Sequence, residues 1–198
     1  MPKKTFFYLQ KEKQDRIIDS AILQFSKVHY NKVTIDSIVE GAKIPKGSFY
    51  QYFKNKDDLF NYIMDPVWNE VTNLIYIDFN SNNADFQISG IVSAITDIYK
   101  KYSVELYILL NNSRGSKYEN VKQGLVDLIY KRSCSELLPA INSENKELHD
   151  QFILKVTSNL IVDGFFLIVE EVGSDMERIN ELSHQLLNIM IKDLHKRL

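Results

Sequence analysis

Residues 43–60 read "KIPKGSFYQYFKNKDDLF", and their pattern decides the fold. Pro45 and Gly47 are helix breakers, yet Phe49 and Phe53 stand four apart, the spacing of one helical face. Pro45 suits the first position of a helix, where no amide partner is needed. The spacing predicts a helix of about two turns ending near Phe53, with both phenylalanines inward. Lys46, Gly47 and Tyr50 then share its outer face. A glycine inside a helix costs about 1 kcal/mol relative to alanine, so Gly47 needs a reason. Either something outside the chain approaches the bare backbone closely, or the helix packs tightly against a neighbour.

On the N-terminal side, Ile18, Ala21, Ile22, Phe25 and Val28 fall on one face of an amphipathic helix from Lys11 to about Val28. "HYNKV" breaks it, and Thr34 is a good N-cap for a second short helix carrying Ile35, Ile38, Val39 and Ala42 inward. On the C-terminal side, Asp57 and Asp58 suit the positive end of a fourth helix, with Leu59, Phe60, Ile63 and Val67 on its apolar face. Pro66 lies within that pattern and predicts a kink or restart. Further helices are expected at 86–101, 104–111, 117–138, 146–172 and 175–196, separated by "NSNNAD", "NSRGS", "PAINSEN" and "VGSD". No strand-like alternation and no repeat is evident, so the fold class is all-α.

Composition supports that class. Seven glycines and four prolines among 198 residues leave few turns, and the chain is long enough to bury a core. One cysteine, Cys134, excludes an internal disulfide and a cysteine-rich metal site, and suits a reducing cytoplasm. The net charge of −2 is unevenly divided. Residues 1–56 hold eleven Lys+Arg against five Asp+Glu; residues 57–198 hold thirteen against twenty-one. One end is therefore suited to a polyanion and the other is not. The apolar patch Phe6–Leu9 is too short for a signal peptide. The longest apolar run, "NLIVDGFFLIVEE", is interrupted by Asp163 and is expected to be too short for a bilayer. The expectation is a cytoplasmic protein with no membrane partner.

Three short helices with a tight turn between the second and third form a helix-turn-helix unit, whose last helix enters the DNA major groove. Lys46 can donate to guanine O6 or N7 or to a phosphate. Tyr50, Tyr52 and Lys56 can reach the flanking phosphates, and Thr34 can bring a hydroxyl and backbone amides to another. "TIDSIVEGAKIPKGSFYQYFKNKDDLF", preceded by "DRIIDSAILQFSKVHY", resembles the N-terminal signature of TetR-type transcriptional regulators over about residues 11–63. The resemblance implies a cytoplasmic, homodimeric, all-helical repressor of a palindromic operator, released by a small molecule. It places Lys46, Gly47 and Ser48 at the bases and Thr34, Tyr50, Tyr52 and Lys56 at phosphates. The implied domains are 1–65, with the helix-turn-helix and the start of the fourth helix, and 66–198, a helical effector-binding and dimerisation domain. Two positions depart from the family: Lys43 and His29 stand where it commonly has glycine. At Lys43 the side chain must accept a left-handed conformation or alter the turn; it could also add a phosphate contact.

Residues 66–198 carry no recognised motif. Phe152, Val156, Leu160, Gly164 and Leu167, with Leu182, Leu186, Ile189, Ile191 and Leu194, give the last two helices wide apolar faces: either the domain packs tightly there, or the residues up to Ile189 are candidates for a dimer interface. Trp68, Tyr76, Tyr99, Tyr102, Tyr107 and Tyr130 are candidates for a pocket taking an apolar or aromatic effector; the plainer alternative is a core edged with tyrosines. The fourth helix, starting at Lys56, would link effector to DNA. His29, His149, His184 and His195 lack metal spacing, no phosphate loop or nucleophile elbow is present, and Cys134 reads as a small buried hydrophobe. No cofactor, no metal and no enzymatic activity are expected. The alternatives are a helical interaction protein that uses the same fold to bind a protein, and an activator in place of a repressor. The arm "PKKTFFYLQ" has two readings: Lys3 and Lys4 follow the minor groove, or Phe6, Phe7 and Tyr8 pack back on the first and fourth helices. Packing is the expectation.

Overall fold

The computed structural model describes residues 1–74, 84–137, 147–173 and 175–197, with side chains described for these except 84–89, 91, 136–137, 147–150 and 191–197. Tyr76 therefore lies outside the described residues, as do the side chains of His149, Ile191, Leu194 and His195. All regular structure among the described residues is helical: α1 (Lys4–Phe7), α2 (Lys11–Lys27), a 3-10 turn (Tyr30–Lys32), α3 (Ile35–Gly41), α4 (Lys46–Tyr52), α5 (Lys56–Leu74), α6 (Ala84–Tyr107), a π turn (Ile108–Asn112), α7 (Val121–Leu137), α8 (Glu147–Val172) and α9 (Met176–Arg197). They fall into two compact units, Met1–Glu70 with Tyr102–Val121, and Val71–Lys101 with Lys122–Leu198. The first unit thus reaches past the expected 1–65 segment by residues 66–70 and by the stretch 102–121.

The first unit is built around aromatic rings. Phe6, Phe25, Phe49, Phe53 and Phe60 are fully buried with Ile17, Ile38, Leu59 and Met64. Each such side chain contributes about 1.5–3 kcal/mol of burial. Phe49 and Phe53 do point inward, their rings 5.5 Å apart. Thr34 caps α3 as expected, its Oγ1 accepting the Ser37 amide at 3.2 Å, while Ser37 Oγ donates to Thr34 O at 2.9 Å. Pro45 sits one position before α4, as its N-cap rather than its first residue.

The turn between α3 and α4 keeps the geometry that glycine usually supplies. Lys43 adopts φ 53°. Its amide donates to Glu40 O at 3.1 Å, and the Ile44 amide to Val39 O at 3.0 Å. This bond pair is the Schellman helix ending, and buried Val39 and Ile44 make its hydrophobic contact. Lysine has accepted the left-handed conformation.

Α5 runs as one helix through Pro66, which removes the restart from the expected kink or restart. The expected helices 86–101 and 104–111 are one span to Tyr107, with a non-helical step at Tyr102 (φ −134°, ψ 33°), followed by the π turn. Asn112 closes that turn onto the end of α2, its Nδ2 donating to Phe25 O at 3.0 Å and Ser26 O at 2.9 Å. These bonds explain why 102–121 belongs to the first unit. Residues 117–120, expected to open the next helix, form turns, and α7 starts at Val121.

In the second unit α8 and α9 pack as an antiparallel hairpin. A Cβ on Gly164 would stand 2.8 Å from Leu186 Cδ1, so glycine lets the two helices close. Val92, Ile161 and Leu187 form a small core. Against expectation, residues 151–172 of α8 are long and apolar enough, by length and composition, to cross a membrane; only 17% of the stretch is buried in the protomer. A core helix would be mostly covered, so this one presents an apolar face.

Replacing Lys43 by glycine removes the side chain's left-handed strain while keeping the turn. Lys43→Gly should stabilise the protein by about 0.5–1 kcal/mol, read as a higher urea midpoint at unchanged slope. A loss of stability would mean that the lysine side chain is itself bound.

Candidate nucleic-acid interface

The outer face of α4 is open at Lys46, Gly47 and Tyr50. Lys46 and Tyr50 are exposed, Ser48 is half-buried, and Thr34 is exposed at the start of α3. A Cβ on Gly47 would meet nothing within 4 Å. That removes one of the two explanations for this glycine, because no neighbouring helix needs the space. The contrast with Gly41 is direct: a Cβ there would lie 2.4 Å from Ser20 Oγ, so Gly41 does serve packing. Gly47 therefore leaves a bare strip of backbone facing away from the protein, between a lysine and a serine.

Lys46 is not idle in the free protein. Its ammonium pairs with Asp36 on α3 at 2.8 Å, both side chains more than half exposed. The hydrogen bond to Asp36, and then its charge, raise the Lys46 pKa. The lysine is thereby fully charged at neutral pH and held over the α3–α4 face. Asp36 was missed in the sequence because nothing in local spacing pairs residues ten apart across a turn.

Two of the expected phosphate contacts sit elsewhere. Tyr52 is buried, its ring 6.4 Å from that of Phe6, and it does not share the exposed face with Lys46, Gly47, Ser48 and Tyr50. Lys56 reaches back to the loop before α3. Its Nζ donates to Tyr30 O and Val33 O, each at 2.7 Å, and lies 4.2 Å from the centre of the Tyr30 ring. Burial lowers its pKa and Asp57 partly opposes that. Two of three N–H donors are thus engaged inside the protein, and one remains. The Tyr30 hydroxyl donates to Asp57, tying the same loop to α5; burial, and then that bond, push the phenol well above its ordinary range. Thr34 Oγ1 accepts the Ser37 amide, which leaves its own proton free to donate outward.

The aromatic candidates for an effector pocket are distributed over both units. Trp68 and Tyr102 pack at the edge of the first unit's core, Tyr102 donating to Glu70 at 2.9 Å. In the second unit the buried Tyr99 donates to Gly173 O at 2.8 Å, and the neighbouring Cys134 raises the Tyr130 pKa. Tyr107 is exposed. Among the candidate interface residues, Phe152, Val156, Leu160, Leu167 and Ile189 are exposed. Gly164 and Leu186 instead face each other within the protomer, and Leu182 is half-buried. No cluster of metal-binding side chains occurs among the described residues.

A short helix held by a turn against a capped partner, with an open backbone strip flanked by donors, defines a helix-turn-helix DNA-binding protein. Residues 17–63 match the family model of "Bacterial regulatory proteins, tetR family". The biofilm operon icaADBC HTH-type negative transcriptional regulator IcaR of Staphylococcus aureus (strain Newman) is 25% identical over 187 residues, covering 90% of this chain and 99% of that protein. Its Staphylococcus epidermidis counterpart is 27% identical over 146 residues, covering 71% and 67%. A TetR family transcriptional regulator from Chloroflexus aurantiacus J-10-FL has the same fold, with a TM-score of 0.63, 19% identity and 98% coverage of both chains. Residues 17–63 thus carry the DNA-binding signature of the TetR regulators, and the chain resembles transcriptional regulators of that type along most of its length.

The two lysines should separate cleanly on mutation. Lys56→Ala removes the donor to two carbonyls and should cost about 1–3 kcal/mol of folding stability. Lys46→Ala breaks only an exposed pair and should stay within about 0.5 kcal/mol of wild type, yet weaken the selected DNA site by about 1–3 kcal/mol. Chemical denaturation and DNA titration of both variants check this; equal stability losses would contradict the assigned roles.

Proposed function

We propose that this protein is a cytoplasmic homodimeric repressor. It binds a palindromic operator through Lys46, Gly47 and Ser48 at the bases, with Thr34 and Tyr50 at phosphates and Lys56 adding its remaining donor. The observation that carries the reading is Gly47. The glycine weakens its own helix, nothing among the described residues lies within 4 Å of the Cβ position, and a groove wall approaching the backbone would fill that space. The relatives named as negative regulators support repression.

Two recognition helices must be held about one helical turn of DNA apart, roughly 34 Å. The exposed side chains of Phe152, Val156, Leu160 and Leu167 lie along α8, with Ile189 on α9, and a second copy supplies the cover they lack. An isologous contact of this kind joins the faces of two α8–α9 hairpins into a four-helix bundle. Release by an apolar or aromatic effector completes the proposal; such a ligand acts only by binding one spacing of the recognition helices better than another.

The test is selection of duplexes from a random pool by the full protein, followed by titration at two salt concentrations. Palindromic enrichment and an affinity that falls steeply with salt are expected; no enrichment, with a stable complex to a protein partner instead, would favour the interaction reading. Gly47→Ala sharpens the result. It should gain up to about 1 kcal/mol of stability while binding the selected duplex at least about tenfold more weakly, or roughly 1.4 kcal/mol. If the alanine binds as well as glycine, the close approach is disproved. A Leu160→Glu/Leu167→Glu pair should sediment as a monomer and lose preference for the palindrome over a single half-site.

A further inference from the structure

We propose that Lys3 and Thr5 are positioning residues for DNA recognition: they terminate the recognition helix α4 from outside and set its pitch against the groove. The inference rests on the DNA-binding reading above.

The argument begins with the carbonyls of α4. A helix leaves its last four C=O groups without intrahelical partners, and α4 is only seven residues long. Its final four residues are Phe49, Tyr50, Gln51 and Tyr52. The Phe53 amide serves Phe49 O at 2.9 Å. The other three carbonyls are served from the N-terminal arm. Lys3 Nζ donates to Tyr50 O at 2.7 Å, Thr5 Oγ1 donates to Gln51 O, and the Lys3 amide donates to Tyr52 O at 2.7 Å. All four carbonyls are satisfied, three of them by residues nearly fifty positions away. The Lys3 ammonium also places positive charge at the negative end of the helix.

The arm is itself anchored. Phe6 is fully buried, its ring 4.9 Å from Phe53 and 5.6 Å from Tyr62. Α1 thus straps the C-terminal end of α4 to the start of α5. Tyr50, one of the proposed phosphate contacts, is held at its carbonyl by Lys3, so a change in the strap moves the exposed ring with the backbone. Lys3 engaged in this way does not reach along the minor groove, which distinguishes a strap from a DNA-reading arm.

The experiment compares wild type, Lys3→Met/Thr5→Val and Thr5→Ser on a duplex selected by the wild-type protein and on random duplex, across a salt series. A positioning role predicts about tenfold weaker binding of the selected duplex by the double variant, with random-duplex affinity and the salt slope per protomer unchanged. Thr5→Ser, which keeps the donor, should bind as wild type does, and circular dichroism should show all variants folded. A slope smaller by about one unit would make Lys3 a phosphate contact and overturn the strap. Equal losses on both duplexes, or no loss, would reduce the arm to packing alone. If the wild-type protein prefers no duplex, the DNA-binding reading fails with it, an outcome separable from the others because it precedes any mutation.

Discussion

The burial of Phe49 and Phe53 is the constraint on which the DNA-facing surface depends. A two-turn helix does not persist alone in water, because nucleation costs more than so few hydrogen bonds return. Α4 exists because these two rings enter a core made by Phe6, Phe25, Phe60 and their neighbours. Anchored on that side, it can leave the opposite side bare. Gly47 is affordable only because packing, and not propensity, decides the helix. The Schellman turn at Lys43 and the cap at Thr34 then orient α4 against α3, and Asp36 holds Lys46 over the face they share.

Much of this was legible because the signals are local. Four-residue spacing of phenylalanines, a threonine before an apolar face, and paired aspartates at a helix start are all short-range statements, and each corresponds to an observed element or cap. The strained turn was legible too: once a lysine stood in glycine's place, only two outcomes were possible, and φ decided between them. What escaped were contacts between distant residues. Lys56 looked like a surface cation, but it reaches over twenty positions back to Tyr30 and Val33. Tyr52 looked exposed because its inward neighbour, Phe6, belongs to an arm with no helical period of its own. The break at Tyr102 falls in the expected gap between helices, but the π turn lies almost wholly within the expected helix 104–111, and no local pattern announces that Asn112 will cap α2.

The second unit shows the same limit from another side. Its sequence announces wide apolar faces, and the structure sorts them. Gly164 and Leu186 are used within the protomer to bring α8 and α9 together. Phe152, Leu160, Leu167 and Ile189 are left exposed. Periodicity alone cannot make that division, since both sets lie on the same two helices and are equally apolar. In the proposed homodimer the open set is what a second copy would cover, and that pairing would set the distance between two recognition helices.

The central claim is that the backbone strip around Gly47 meets DNA. Backbone amide NMR of the full protein, titrated with a selected palindromic duplex, addresses it without any mutation. The account predicts that the amides of Thr34–Ser37 and Lys46–Tyr50 shift most, with Gly47 among the largest changes. Shifts confined to α8 and α9, or none at Gly47 while others move, would contradict it.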